Sequence, residues 1–193
     1  MTIGVFMNPS LSETKKDIFV LYKELIDALN ANVIGITKID DLKLVKGVIL
    51  QGGDDYKEED LEIVKYLYNH NIPTLGICLG MQKMALTFNG TLGTIKNHLT
   101  YKKYVHNINI DPKSLLYKII GEESTMVNSR HKDIVLNTDL KITAYSNDGV
   151  IEALEDDSKK FFLGLQWHPE SMITYDEVAR KIFTYFLNVC EGD

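Results

Sequence analysis

The sequence predicts an α/β fold in which helices flank a mostly parallel central sheet, with a β-rich C-terminal half, as one domain over residues 1–193. Three observations carry this. Up to about residue 88, short apolar runs alternate with amphipathic helical patterns, and strands separated by helices imply parallel pairing with right-handed crossovers. From Val105 onward the runs become short, closely spaced and strand-like. A chain of 193 residues with 45% hydrophobic and 25% charged content is globular material and long enough for a sizeable core. No repeat, low-complexity segment or linker marks a second domain.

Each element has a local reason. Thr2-Ile3-Gly4-Val5-Phe6 reads as a first strand, and residues 13–29 as an amphipathic helix with Ser10 or Ser12 as its cap. Val33-Ile34-Gly35-Ile36 and Gly47-Val48-Ile49-Leu50 read as the second and third strands. Residues 58–69 form a helix whose early acids complement its dipole, with Asp54 or Asp55 expected to cap it. Ile72-Pro73-Thr74-Leu75-Gly76-Ile77 is short and apolar, as a buried parallel strand should be. Residues 81–88 follow at helical spacing. Strands are expected at 105–110, 125–128, 140–146, 149–154 and 161–166, and a last helix at about 175–189.

Cys78 lies at the junction of strand and helix, inside Gly76-Ile77-Cys78-Leu79-Gly80. The two glycines remove side chains where backbones must pass closely, as in the elbow that presents a nucleophilic serine. The helix that follows points its N-terminus at the sulfur and favours thiolate over thiol. A buried, inert cysteine is the competing reading, since G-x-C-x-G is a loose pattern.

Trp167-His168-Pro169-Glu170 supplies the rest. A residue before proline is pushed toward extended geometry, and in an extended segment positions i and i+2 share a face. Glu170 can therefore hold one nitrogen of His168 as N–H and leave the other to accept a thiol proton. Cleaving an amide also needs two backbone N–H groups aimed at the developing oxyanion. Leu79, the residue after the sulfur, offers one, and the Gly52-Gly53 turn directly after the third strand offers another at Gly53.

Gly-Ile-Cys-Leu-Gly-Met-Gln at 76–82 and Gln-Trp-His-Pro-Glu-Ser at 166–171 resemble the class I glutamine amidotransferase superfamily. Val127-Asn128-Ser129-Arg130-His131 and Asn147-Asp148-Gly149-Val150-Ile151-Glu152-Ala153 resemble its γ-glutamyl-γ-aminobutyrate hydrolase branch, peptidase family C26. The resemblance runs from about Gly47 to Glu170 and implies a flavodoxin-like fold. It implies Cys78, His168 and Glu170 as catalytic groups, Gly53 and Leu79 as oxyanion donors, and Gly52, Gln82, Ser129, Arg130 and His131 around a glutamyl group. Gln51 stands where the family more often has proline.

The activity implied is hydrolysis of a small γ-glutamyl conjugate through a glutamyl thioester, releasing glutamate and an amine. A second reading is a glutaminase component feeding ammonia to a synthetase partner. Leu79 favours it, because the hydrolase branch more often has arginine there. A catalytically idle binding module is the third and weakest reading. His98 and His106 fall in a connecting region and receive no role.

Composition sets limits. The net charge of −6 argues against nucleic acid as a partner. Two cysteines, Cys78 and Cys190, are too few for a disulfide framework and fit a reducing compartment. No His/Cys spacing signals a metal, and no cofactor is expected. Without a secretory leader or an apolar run long enough for a bilayer, a cytoplasmic protein with no membrane association is expected. A homodimer is compatible with the sequence.

Overall fold

The computed structural model describes residues 1–6, 22, 26–27 and 29–192. Its frame is a nine-stranded sheet. The first strands in the chain are β1 (Thr2–Phe6), β2 (Asn32–Ile36), β3 (Gly47–Leu50) and β4 (Thr74–Ile77). After β5 (Thr91–Thr94) come β6 (His106–Ile110), β7 (Ser124–Val127) and β8 (Asp133–Asn137). The last are β9 (Lys141–Ser146), β10 (Ile151–Glu155) and β11 (Phe162–Leu165). The order across the sheet is β2-β1-β3-β4-β11-β10-β9-β6-β7. Pairing is parallel from β2 through β11 and antiparallel beyond. The β-rich second half thus extends the parallel sheet and sends β11 back into its middle, beside β4.

Side-chain alternation sorts the core into two layers. On β1, Ile3 and Val5 face one and Phe6 the other; on β3, Ile49 opposes Val48 and Leu50. This is the period of two expected of strands covered on both faces. The first layer packs under α4 (Glu177–Glu191) through Ala179, Ile182, Phe183 and Phe186. The second packs under α1 (Glu58–Asn69) and α2 (Leu79–Thr87) through Val64, Leu67, Met81 and Met84. A buried ion pair, Lys83 Nζ to Asp60 Oδ2 at 2.9 Å, ties α1 to α2.

Several local expectations need correction. Neither Asp54 nor Asp55 caps α1. The N-cap is Lys57, and its backbone N–H donates to Asp60 one turn ahead. Four features have no counterpart among the expected elements: 3-10 turns at Ile39–Leu44 and Pro169–Ser171, the latter in place of the expected extended segment, a helix α3 (Leu115–Ile120), and a small second sheet pairing β5 with β8. The helix at α3 is six residues of Leu-Leu-Tyr-Lys-Ile-Ile, too short and too uniformly apolar to show a period, and it is fixed by its ends. Ser114 accepts from Tyr117 N–H at one end and Gly121 adopts φ 82° at the other. The expected helix over 13–29, with its Ser10 or Ser12 cap, lies outside the described residues except that Tyr22, Ile26 and Asp27 are helical. Tyr22 and Ile26 are fully buried in the first layer.

Candidate active site

The site is built by strand adjacency. β4 and β11 run parallel with Ile77 opposite Leu165, so Cys78 and the Gln166-Trp167-His168 segment leave the sheet together at its C-terminal edge. On the other side of β4, Leu50 pairs with Gly76, which brings Gln51, Gly52 and Gly53 to the same edge. The C-terminal edge of parallel strands is where open α/β sheets place ligands.

Cys78 adopts φ 52°, ψ −106°, a conformation that side chains other than glycine rarely take. Its backbone N–H donates to Leu165 O at 2.7 Å, which locks the bend to β11. The neighbouring glycines are obligatory: a Cβ on Gly80 would strike the Leu50 carbonyl, and one on Gly76 would strike Met84. α2 starts at Leu79, whose N–H is among the first-turn donors that a helix leaves unpaired. Gln166, fully buried, points Nε2 at the Cys78 sulfur at 3.7 Å.

His168 meets the sulfur from the neighbouring strand. The Cys78 sulfur is close enough to favour the charged ring, and His168 Nδ1 lies 2.6 Å from Glu170 Oε1. Gly52 sits against both: a Cβ there would lie 2.9 Å from His168 Cε1 and 3.5 Å from Cys78 Cβ. Burial opposes a charge on His168, but Glu170 and the sulfur outweigh it, and the imidazole is pushed up to about 10. The ring is therefore protonated at neutral pH beside the sulfur. Asn128, also fully buried, grips the histidine backbone on both sides. Its Oδ1 accepts from His168 N–H at 2.9 Å, and its Nδ2 donates to His168 O at 2.9 Å and to Ser171 Oγ at 3.1 Å.

A cavity of about 140 Å³ opens over Cys78. Gly53, Gln82, Arg130 and His131 are among its walls, together with Asp54 and Leu99. Gln82 donates to Asp133 O at 3.0 Å and to Gln166 Oε1 at 3.4 Å, joining α2 to the opposite wall. Two residues expected around the substrate are not among the cavity's walls. Gly52 lies behind the His168 ring, and the Ser129 hydroxyl donates to His98 O at 2.7 Å and stays fully buried. His131 is buried, and desolvation lowers its imidazole to about 4, so it presents a neutral ring. Asn128 and Gln166 are functional neighbours to which the sequence alone gives no role. Their only signal is membership of the motifs that carry His131 and His168. Cys190, as expected, is an ordinary α4 residue, its thiol pushed up to about 12 by burial.

Fold and site together define the class I glutamine amidotransferase superfamily. Residues 51–170 match the peptidase C26 family, and the chain belongs to it. A glutamine-hydrolyzing GMP synthase component from Methanococcus aeolicus is 32% identical over 172 residues, 88% of this chain and 87% of that protein. A candidate GMP synthase component from Thermoplasma acidophilum superposes with a TM-score of 0.77 at 22% identity, over 100% of this chain and 94% of that one. The glutaminase domain of Trypanosoma brucei CTPS, solved with acivicin bound, superposes with a TM-score of 0.73 at 17% identity, covering 100% and 95%. These likenesses make the chain a hydrolase of the glutamine amidotransferase class. Among the described residues no helix is long and apolar enough to cross a membrane.

Proposed function

We propose that the chain hydrolyses the γ-amide of glutamine through a Cys78 thioester and delivers the ammonia to a synthetase partner. The observation that carries this reading is the register of β4 with β11, which sets the Cys78 sulfur beside the His168–Glu170 pair. The Cys78 sulfur attacks the γ-carbonyl, and the N–H groups of Gly53 and Leu79 receive the oxyanion. The tetrahedral intermediate collapses, the C–N bond breaks, and protonated His168 gives its proton to the leaving nitrogen. Water then adds to the thioester while His168 takes back a proton, and glutamate leaves as the C–S bond breaks.

One likeness supports glutamine over a bulkier amide: the Methanococcus aeolicus relative is named as glutamine-hydrolyzing. The second reading is a stand-alone hydrolase of small γ-glutamyl conjugates. It is favoured by the C26 match, which spans the Asn-Ser-Arg-His and Asp-Gly-Val-Ile-Glu-Ala segments.

Glutamate release by the purified chain, with Cys78→Ala as the blank, tests both. Glutamine turnover that is slow alone and accelerated by a synthetase partner is the expected result. Rapid turnover of γ-glutamyl amines with little of glutamine would move the protein to the second reading. Full activity in Cys78→Ala would remove both.

A further inference from the structure

Behind the His131 wall of the cavity lies a second cluster that the proposed hydrolysis does not use. The Glu152 carboxyl group is fully buried, and neither of its oxygens has a hydrogen-bond partner among the described residues. His106 Nε2 lies 3.4 Å from Glu152 Oε1 and is itself buried without a hydrogen-bond partner. His98 Nδ1 lies 4.0 Å from the same oxygen, and His131 Nε2 lies 3.9 Å from it. His98 Nδ1 lies 3.3 Å from His131 Nε2 and 3.2 Å from Ser129 Oγ, whose hydroxyl hydrogen goes to His98 O. A bulge between Ile151 and Ala153 in β10, opposite β9, sits at Glu152. Bulges of this kind re-aim a side chain out of the regular alternation.

The outer edge of each ring faces an acceptor. His98 Nε2 lies 2.9 Å from Asp148 Oδ2, His106 Nδ1 lies 3.3 Å from Asn107 O, and His131 Nδ1 lies 3.1 Å from Asp133 O. An N–H on each outer nitrogen satisfies those acceptors and leaves the inner nitrogens as lone pairs. Lone pairs on three rings then converge on one carboxyl group, whose charged form burial disfavours. A buried carboxylate with no donor is costly, and a cation removes that cost.

We propose that His98 Nδ1, His106 Nε2 and Glu152 Oε1 bind a borderline divalent cation of the Zn²⁺ class, with His131 Nε2 drawn in as a fourth ligand. The His98, His106 and Glu152 ligand atoms lie within 4.8 Å of one another. Tetrahedral zinc with bonds of about 2.0–2.1 Å sets ligand atoms about 3.3 Å apart, so closing the set draws its widest pair together by up to about 1.5 Å. Two nitrogens and one carboxylate oxygen are a ligand set suited to this ion. A ligating histidine whose far nitrogen donates to a carboxylate is the usual outer-shell arrangement at such centres, and Asp148 provides it for His98. The ion would join the segment at 98, the start of β6, the bulge of β10 and the His131 wall, and so set the shape of the glutamyl cavity without entering it.

The test is Zn²⁺ titration of chelator-treated protein, followed by calorimetry and by metal analysis after gel filtration. The expected result is one Zn²⁺ per chain, kept in Cys78→Ser and lost in Glu152→Gln and His106→Ala. Asp148 is half-exposed, so Asp148→Asn should fold, and it should weaken binding about 10- to 100-fold. No bound zinc, or zinc lost in Cys78→Ser and kept in Glu152→Gln, would overturn the proposal. Should the buried variants fail to fold, Asp148→Asn decides: unchanged affinity overturns it, and weakened affinity with one ion per chain in Cys78→Ser upholds it.

Discussion

His168 is held from three directions, and each hold has a separable effect. Glu170 fixes the ring through Nδ1, while Asn128 fixes the backbone by pairing its N–H and its carbonyl. Asn128→Ala leaves the His168 N–H unpaired in a buried site, which costs about 1–3 kcal/mol, while Ser171 still donates to the carbonyl. Its expected signature is a roughly 10- to 100-fold fall in kcat with little change in KM, because a misplaced base slows chemistry more than binding. Glu170→Gln removes the charge that holds the imidazolium. Wild-type activity should fall on the alkaline side as His168 deprotonates near 10. In the variant that limb should move to lower pH, which a kcat/KM profile from about pH 6 to about pH 11 would resolve.

At the scale of elements, the elbow depends on how close α2 comes to β3. Gly80→Ala drives a methyl into the Leu50 carbonyl, a backbone atom that cannot move without disturbing the sheet. We expect a loss of about 3 kcal/mol or more in urea unfolding, with activity falling in parallel. This part of the molecule was legible in the sequence. Apolar runs marked β3, β4 and β11, and glycines flanked the cysteine; the expected His168–Glu170 contact forms, but through a 3-10 turn at Pro169–Ser171 rather than the extended segment expected. Less legible was whatever depends on distant partners. Asn128 and Gln166 look like ordinary polar residues until β11 is placed beside β4. The histidine cluster draws its members from separate segments, so no linear spacing announces it. β5 and β8 are short, and β5 contains Gly93, so their pairing shows only in three dimensions. The acids expected to cap α1 missed because Asp60, inside the helix, reaches back to Lys57 first.

For the whole molecule, the sequence predicts alternation but not order. It places four strands before the cysteine and several after it, yet nothing local says that β11 enters next to β4. That insertion also sets the pH response of the fold. His168 is raised from an ordinary 6.5 to about 10. Its contribution to stability is therefore fully present below about 6.5 and is lost as pH rises through about 10. Urea midpoints should drop between about pH 6.5 and about pH 10 in the wild type and change less in Glu170→Gln. Equal slopes in the two proteins would remove His168 as the source.

The seam between β4 and β11 has a further consequence, in time rather than space. Cys78 is synthesised long before His168, and until β11 slots in, β4 has one flank open and the sulfur has no base. Pairing across so long a stretch of chain is among the slower steps of folding. Under the proposed mechanism a nascent chain therefore carries its nucleophile in a disarmed state, and glutaminase chemistry would begin only once the far half has folded back.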